Sequence, residues 1–287
     1  MKTIIITGGN SGLGFETAKR IAMTGGDYSV VLACRSIERG ASAAQRLFEE
    51  IGSRNIRVLQ LDLASLDSVR EFAAKINAPI YALDNNAGIS GNNAGLTVDG
   101  IDSVFQSNHL GHFLLTNLLL PKMTNDARIL NISSDMHNPP QGALVWFGTE
   151  ALAHPSDDLG SARYFYSKLC NLYFTYELDR RLRAKGSRIT CNALNPGFMS
   201  NTNLQPGGTM TLEAVNWVKQ NMPERVGDLA KSSSAAAELL TSEEFAGVSG
   251  NYFNMSTNAK ASSELSYNME NARELWEASE RLCGGIR

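Results

Sequence analysis

The sequence is poor in the residues that usually build metal or disulfide sites. Its four cysteines (Cys34, Cys170, Cys191 and Cys283) lie far apart and form no C-x-x-C pair. A zinc site and a disulfide framework are thereby disfavoured, and a reducing compartment fits. His109 and His112 come close in sequence, but no carboxylate or cysteine is spaced to join them, so helix packing is expected and no metal. Long apolar runs are also lacking. "TIIIT" (3–7) follows a single lysine and is stopped at once by glycines, and no stretch approaches the roughly 18 residues of a membrane span. The chain is therefore expected to be soluble and cytoplasmic. Nor is there an excess of one charge: 26 Lys and Arg face 29 Asp and Glu, a net charge of −3. The richest basic run, "DRRLRAKGSR" (179–188), reads as a solvated helix end closed by Gly186. With no aromatic platform beside it, no nucleic-acid partner is expected.

With 43% hydrophobic residues over 287 positions, the chain can bury one full α/β core. Short β-branched runs are expected as strands at 3–7, 29–34, 56–63, 80–85, 128–133, 188–194 and 250–255. Between them, "ERGASAAQRLFEEIG" and "LDSVREFAAKI" carry apolar residues at helical spacing. Several strands are apolar almost throughout, as when helices cover both faces of a parallel sheet. The expected fold is α/β, a doubly wound and mostly parallel Rossmann-like sheet in a single domain, 1–287. Two long connections, 135–162 and 198–225, break the rhythm after the fifth and sixth strands. Long connections at strand carboxyl ends are where such sheets bind ligands.

The same edge collects the chemistry. "TGGNSGLG" (7–14) follows the first strand and opens a helix, so Gly8, Gly12 and Gly14 can bring backbone and helix N-terminus against a pyrophosphate. At the end of the second strand, where a carboxylate would bind the ribose hydroxyl of NAD, stands Arg35, which suits a 2′-phosphate. "NNAG" (85–88), "SNHLGHF" (107–113), "NISS" (131–134) and "NPG" (195–197) follow. "RYFYSK" (163–168) sets Tyr164 and Lys168 four apart on one helix face.

In order and spacing these motifs resemble those of the short-chain dehydrogenase/reductase family, over nearly the whole chain. The resemblance implies an NADP(H)-dependent oxidoreductase with Tyr164 as general acid/base. It implies that Lys168 lowers the tyrosine pKa together with the oxidised nicotinamide, and holds the nicotinamide ribose. Ser134 would orient the substrate oxygen, with Ser133 as the competing assignment, and Asn108 would hold a water in the proton relay. Cofactor contacts are implied for Gly8, Asn10, Ser11, Gly12, Leu13 and Gly14, then Arg35, Asp62 and Leu63. Asn86, Ala87 and Gly88, and Pro196 and Gly197, complete them with Tyr164 and Lys168. Asp62 matches the adenine contact and Asn86 the lining of the cleft.

"LACRSIERG", "LDLASLDSVREF" and "NHLGHFLLTNLLL" resemble the branch of retinol dehydrogenase-like enzymes and light-dependent protochlorophyllide reductases. "SKLCN" resembles the reductases too, but Phe198 stands where they carry a cysteine. A light-driven C=C reductase is the alternative enzyme, and an NADP-binding sensor without turnover the alternative outside catalysis. For the substrate, Leu144, Val145, Trp146 and Phe147 of the first connection are expected to wall an apolar pocket. Phe198, Met199, Met210, Leu212, Val215 and Trp217 of the second would join them, with Arg163 and Arg225 flanking. The expected partner is a small hydrophobic carbonyl or alcohol, and a homo-oligomer is compatible with this reading.

Overall fold

The structure, a computed structural model, describes residues 1–90, 95–155, 159–199, 204 and 211–285. The chain begins with β1 (Lys2–Thr7), α1 (Gly12–Met23), β2 (Tyr28–Cys34), α2 (Ile37–Ile51), β3 (Ile56–Gln60), α3 (Leu66–Lys75) and β4 (Ile80–Asn85). The middle runs through α4 (Ser103–Phe105), a π-helical turn (Gln106–Leu110), α5 (Gly111–Leu119), β5 (Met123–Ile132), α6 (Thr149–Ala153) and α7 (Ala162–Ala184). It closes with β6 (Thr190–Asn195), α8 (Leu212–Asn221), α9 (Leu229–Thr241), β7 (Tyr252–Asn254), β8 (Ala259–Lys260) and α10 (Met269–Leu282). The eight strands form one sheet in the order β3-β2-β1-β4-β5-β6-β7-β8, parallel except for the β7–β8 pair.

Both faces of the sheet are covered, which is why β1, β2, β4 and β6 read as buried at nearly every position. One face meets α1, α2 and α9 through Ile21, Leu47 and Leu240. The other meets α3, α5, α7 and α10 through Phe72, Phe113 and Tyr173. There Trp276 of α10 packs edge-on against Phe113, with ring centroids 4.9 Å apart. Asp84 is the exception in this core. It pairs in register with Ile6 and Leu130, two members of the α1/α9 core, so its carboxylate enters that apolar layer. Neither oxygen has a hydrogen-bond partner among the described residues, and burial pushes the acid up to about 8.

The expected strands are all present; the sixth starts at Thr190 and the seventh keeps only Tyr252–Asn254, and there are three further differences. The third ends at Gln60 rather than 63, because its partner β2 ends at Cys34: the Leu61 N–H makes the last ladder bond to the Cys34 carbonyl (3.0 Å), and Asp62 and Leu63 lie beyond it. The fifth starts at Met123, earlier than apolarity suggests. An eighth, two-residue antiparallel strand at Ala259–Lys260 has no apolar signature because both its residues are exposed. The basic run is a helix end as expected: Arg180 and Arg181 both donate to Glu177, and Gly186 sits beyond α7 with φ 66°.

Candidate active site

Several helices here begin with a side chain that satisfies their free N–H groups. Ser36, Ser65, Asp228 and Asn268 cap α2, α3, α9 and α10, each contributing about 1 kcal/mol. Helix α1 does not: Ser11 makes no side-chain cap bond, and the first turn holds no acidic residue. Its amides therefore remain available to an anion, at the positive end of the helix dipole. The turn before it is closely braced. Asn86 donates to the Thr7 carbonyl (2.7 Å), the Ala87 N–H donates to Thr7 Oγ1 (2.9 Å), and the Gly8 N–H reaches the Ala33 carbonyl (2.8 Å). A Cβ on Gly14 would lie 2.5 Å from Asn86 Nδ2 and 2.9 Å from the Gly8 carbonyl, so only glycine fits.

Around this turn lie the other implied cofactor residues. Arg35 is exposed at the end of β2. Asp62 accepts from the Ala64 N–H (3.0 Å), and its own N–H donates to Ser68. Leu63 packs against the helix after the π turn, where Gly111 allows the approach: a Cβ there would stand 2.7 Å from the Leu63 carbonyl. Gly88 lies beside Asn108 and Lys168. Across the sheet, the Pro196 carbonyl accepts from Ser232 (2.8 Å), and the Gly197 N–H donates to Asn195 Oδ1 (3.0 Å). An uncapped helix N-terminus, a turn with no room for a Cβ and an arginine at the next strand end fit a dinucleotide phosphate.

Tyr164 and Lys168 occupy successive turns of α7, with Nζ 5.4 Å from the phenol ring centroid. Lys168 is 2% exposed and donates to the Ile132 carbonyl (3.0 Å), and burial pushes it down to about 8. Tyr164 is half-buried, and crowding by its surroundings pushes its phenol up to about 12. The lowering expected from Lys168 is thus not realised by the chain alone, because burial opposes the phenolate more than any neighbour favours it. The two serines separate cleanly. Ser133 turns inward and donates to the Lys168 carbonyl (2.8 Å), bracing α7. Ser134 lies within hydrogen-bonding reach of the Tyr164 phenol.

Asn108 stands not in a regular helix but in the π-helical turn, fully buried. Its Oδ1 accepts from the Ile89 N–H (2.8 Å), and its Nδ2 donates to the Ile89 carbonyl and to Ser167 (2.9 Å each). It therefore ties the loop after β4 to α7. Its own carbonyl faces His112 Nδ1 at 3.1 Å, and His112 Nε2 faces Thr7 Oγ1 at 2.9 Å. A carbonyl only accepts, and burial holds His112 neutral with its pKa near 4, so Nδ1 carries the proton and Nε2 accepts from Thr7. Sequence reasoning gave His112 and Thr7 no such part; the i, i+4 spacing of Asn108 and His112 is the signal that could have found it. His109 points the other way, to Ser279 of α10 (3.0 Å).

The two connections behave differently. Trp146 was expected over the cleft, but it packs edge-on against Tyr173 (5.1 Å) and donates to Glu274 of α10 (3.1 Å). Tyr173 is nine residues from Tyr164, which is two and a half turns along α7 and on its opposite face. Phe147 likewise lies on Tyr166, with Val145 exposed beside it, and Leu144 packs into the core. These residues cap the helices beneath. The second connection does reach the cleft: the Ser90 N–H, just after "NNAG", donates to the Leu204 carbonyl at 2.7 Å. Phe198 bridges to Val226, Met199 packs on the core, Val215 is buried, and Leu212 and Trp217 are exposed. Met210 lies outside the described residues. Arg163 pairs with Asp102 (3.2 Å) and Arg225 with Asp135 (3.4 Å).

Comparison with known proteins gives the family. The short chain dehydrogenase family profile matches residues 2–149. Human retinol dehydrogenase 13 is 39% identical over 99% of this chain and 85% of its own length. The WW domain-containing oxidoreductase of Gallus gallus is 38% identical, over 98% of this chain and 68% of that protein. Among solved structures, an uncharacterized protein from Mycobacterium Paratuberculosis superposes with a TM-score of 0.74 at 33% identity, covering 99% and 94% of the two chains. A blue fluorescent protein from a metagenomic library, solved with NADPH, gives 0.66 at 25% identity over 89% and 96%. The chain belongs to the short-chain dehydrogenase family, in its retinol dehydrogenase-like branch, and is an oxidoreductase.

Proposed function

We propose that this member of the family is an NADP(H)-dependent alcohol/carbonyl oxidoreductase acting on medium-sized to bulky hydrophobic substrates. One observation carries the reading: the Tyr164 phenol, the Ser134 hydroxyl and the buried Lys168 ammonium converge beside an anion-ready glycine turn. The turn from Gly8 to Gly14 and the α1 amides would hold the pyrophosphate, and Arg35 the 2′-phosphate. Asp62 and Leu63 would flank the adenine, with Asn86 to Gly88 and Pro196–Gly197 lining the rest. When bound, the nicotinamide supplies or accepts the hydride. Ser134 orients the substrate oxygen, and Tyr164 gives that oxygen its proton or removes it. A phenol as weakly acidic as this one is fully protonated at neutral pH, which suits it to donate in the reductive direction. For oxidation it must be lowered, and the ammonium of Lys168 is the nearest group of the right sign.

An apolar substrate is supported by the second connection, whose Leu204 carbonyl accepts from the Ser90 N–H and whose described residues include the apolar Phe198, Met199 and Val215. The name of retinol dehydrogenase 13, which points to an apolar alcohol for that protein, supports the same class. The test is NADPH oxidation against a panel of aldehydes, ketones and quinones, repeated with NADH. Preferential turnover of bulky apolar carbonyls with NADPH is expected; a preference for small anionic substrates, or equal use of NADH, would overturn it.

A further inference from the structure

The first residue after Ser134 places a negative charge where the proposed chemistry tolerates it least. Asp135 Oδ1 is 3.3 Å from the Ser134 hydroxyl, which donates to it. That hydroxyl also accepts from the Met136 N–H (3.2 Å) and lies near the Tyr164 phenol, so Asp135 competes with the phenol and the substrate oxygen for its single proton. To the extent that it stays on that carboxylate, the hydroxyl does not donate to a substrate oxygen. The same carboxylate acts on Tyr164 through space and disfavours its phenolate.

A counter-charge arrives from the far end of the second connection. Arg225 Nη1 lies 3.4 Å from Asp135 Oδ2, on the carboxylate oxygen that Ser134 does not use, and 3.6 Å from Met136 Sδ. Its main chain is fixed as well: the Arg225 carbonyl accepts from the Phe198 N–H at 2.7 Å. The pair is only about a quarter exposed on each side, so its charges are incompletely screened by solvent. The other charged groups around Tyr164 have partners other than Asp135. Lys168 is held on the Ile132 carbonyl, and Arg163 is paired with Asp102. The His137 ring, kept neutral by burial, lies against Tyr252, with Nδ1 at the Ser134 carbonyl. Glu224 lies 3.9 Å from Arg225 and adds negative charge.

We propose that Arg225 is a positioning residue for the proton chemistry: by holding Asp135 it screens that carboxylate from Tyr164 and weakens its competition with the substrate oxygen for the Ser134 hydroxyl. The inference rests on Tyr164 being the proton donor and acceptor. It couples the two connections electrostatically, so that the loop reaching over the cleft also prepares the hydroxyl pair beneath it.

The two partners have opposite expected effects, which a mere strap between loops would not produce. The full chain, labelled with ¹³Cζ-tyrosine and saturated with NADP⁺, is titrated by NMR, with the Tyr164 resonance identified by its loss in Tyr164→Phe. Arg225→Gln should raise the Tyr164 midpoint by about one pH unit, and Asp135→Asn should lower it. Asp135→Asn combined with Arg225→Gln should fall near Asp135→Asn alone, and Arg225→Lys near the wild type. Should Arg225→Gln fail to fold, Asp135→Asn and Arg225→Lys still decide the sign. Shifts of the same sign for both single variants, or none for either, would overturn the inference. The underlying reading has its own control. If Tyr164→Phe reduces 4-nitrobenzaldehyde with NADPH at the wild-type rate, or NADP⁺ fails to bind, that reading falls and takes the inference with it.

Discussion

The half of the molecule around β1 and α1 and the half around the connections after β5 and β6 reach the same edge of the sheet by opposite means. In the first, the backbone itself is the binding surface. The α1 amides, a turn braced by Asn86 and Thr7, and a glycine with no space for a Cβ leave little for side chains to decide. In the second, contacts with distant parts of the chain decide which residues face the cleft. Trp146 is drawn away by Tyr173 and Glu274, whereas Leu204 is drawn across to Ser90. A backbone-built site tolerates little change, and a site built from loop side chains can alter its substrate without altering its cofactor.

The sharpest break in this comparison lies where the halves meet. Tyr164→Phe removes one hydroxyl and leaves the glycine turn intact. It is expected to cost about 10² to 10⁴ in turnover while NADPH affinity, followed by fluorescence titration, is retained. Loss of affinity on the same scale would show that the halves are not separable.

The next break tests the interior of the first half. Asp84 holds its proton in the folded chain up to about pH 8, whereas an unfolded aspartate releases it near 4. Its raised pKa thus favours folding most at low pH, and that contribution is lost as pH rises from about 4 towards 8. Asp84→Leu should remove the dependence. Denaturant titrations should then show the variant gaining on the wild type by on the order of 4 kcal/mol between pH 5 and pH 8. A gap that does not widen with pH would mean the carboxylate finds a partner.

A smaller effect is expected at the rim. Arg35→Ala should weaken NADPH binding about tenfold or more and leave NADH nearly unchanged, as loss of a charge-assisted contact worth about 1.5 to 3 kcal/mol would do. Equal losses for both cofactors would remove Arg35 from the 2′-phosphate.

The smallest effect separates two tryptophans within the second half. Trp217→Ala, on exposed α8, should raise KM several-fold for bulky carbonyls and little for small ones. Trp146→Ala should leave KM alone and lower the melting temperature by a few degrees, since its ring is packed on α7 and α10. If Trp146→Ala changed KM, its assignment to the helices beneath would fail.

The same contrast explains what could be read from the amino acids. The sheet and the glycine turn were legible because apolar strands and closely spaced glycines are local signals whose geometry follows from backbone sterics. The position of Tyr164 and Lys168 on one face of α7 was legible for the same reason. Ser134 could be narrowed only to a pair, because both serines lie past the end of β5, where strand alternation no longer assigns a face. Trp146 could not be placed, because its contacts come from residues 27 and 128 positions away. Nor could the meeting of Asp135 with Arg225, which are 90 residues apart. The two-residue β8 left no trace because neither of its residues is buried.

The π-helical turn at Gln106–Leu110 makes the count of residues, and not only their identity, a functional quantity. Such a turn holds one residue more than an α-helix would. On one side of it Asn108 must meet Ile89 and Ser167; on the other, Gly111 must pass the Leu63 carbonyl. Wound as a regular α-helix without that bulge, the same residues would rotate the two ends against each other by about 100°. Either the asparagine would leave its partners, or a residue with a Cβ would be driven into the Leu63 backbone. The segment acts as a length standard: it can accept conservative exchanges of type, but it is expected to reject a further inserted residue.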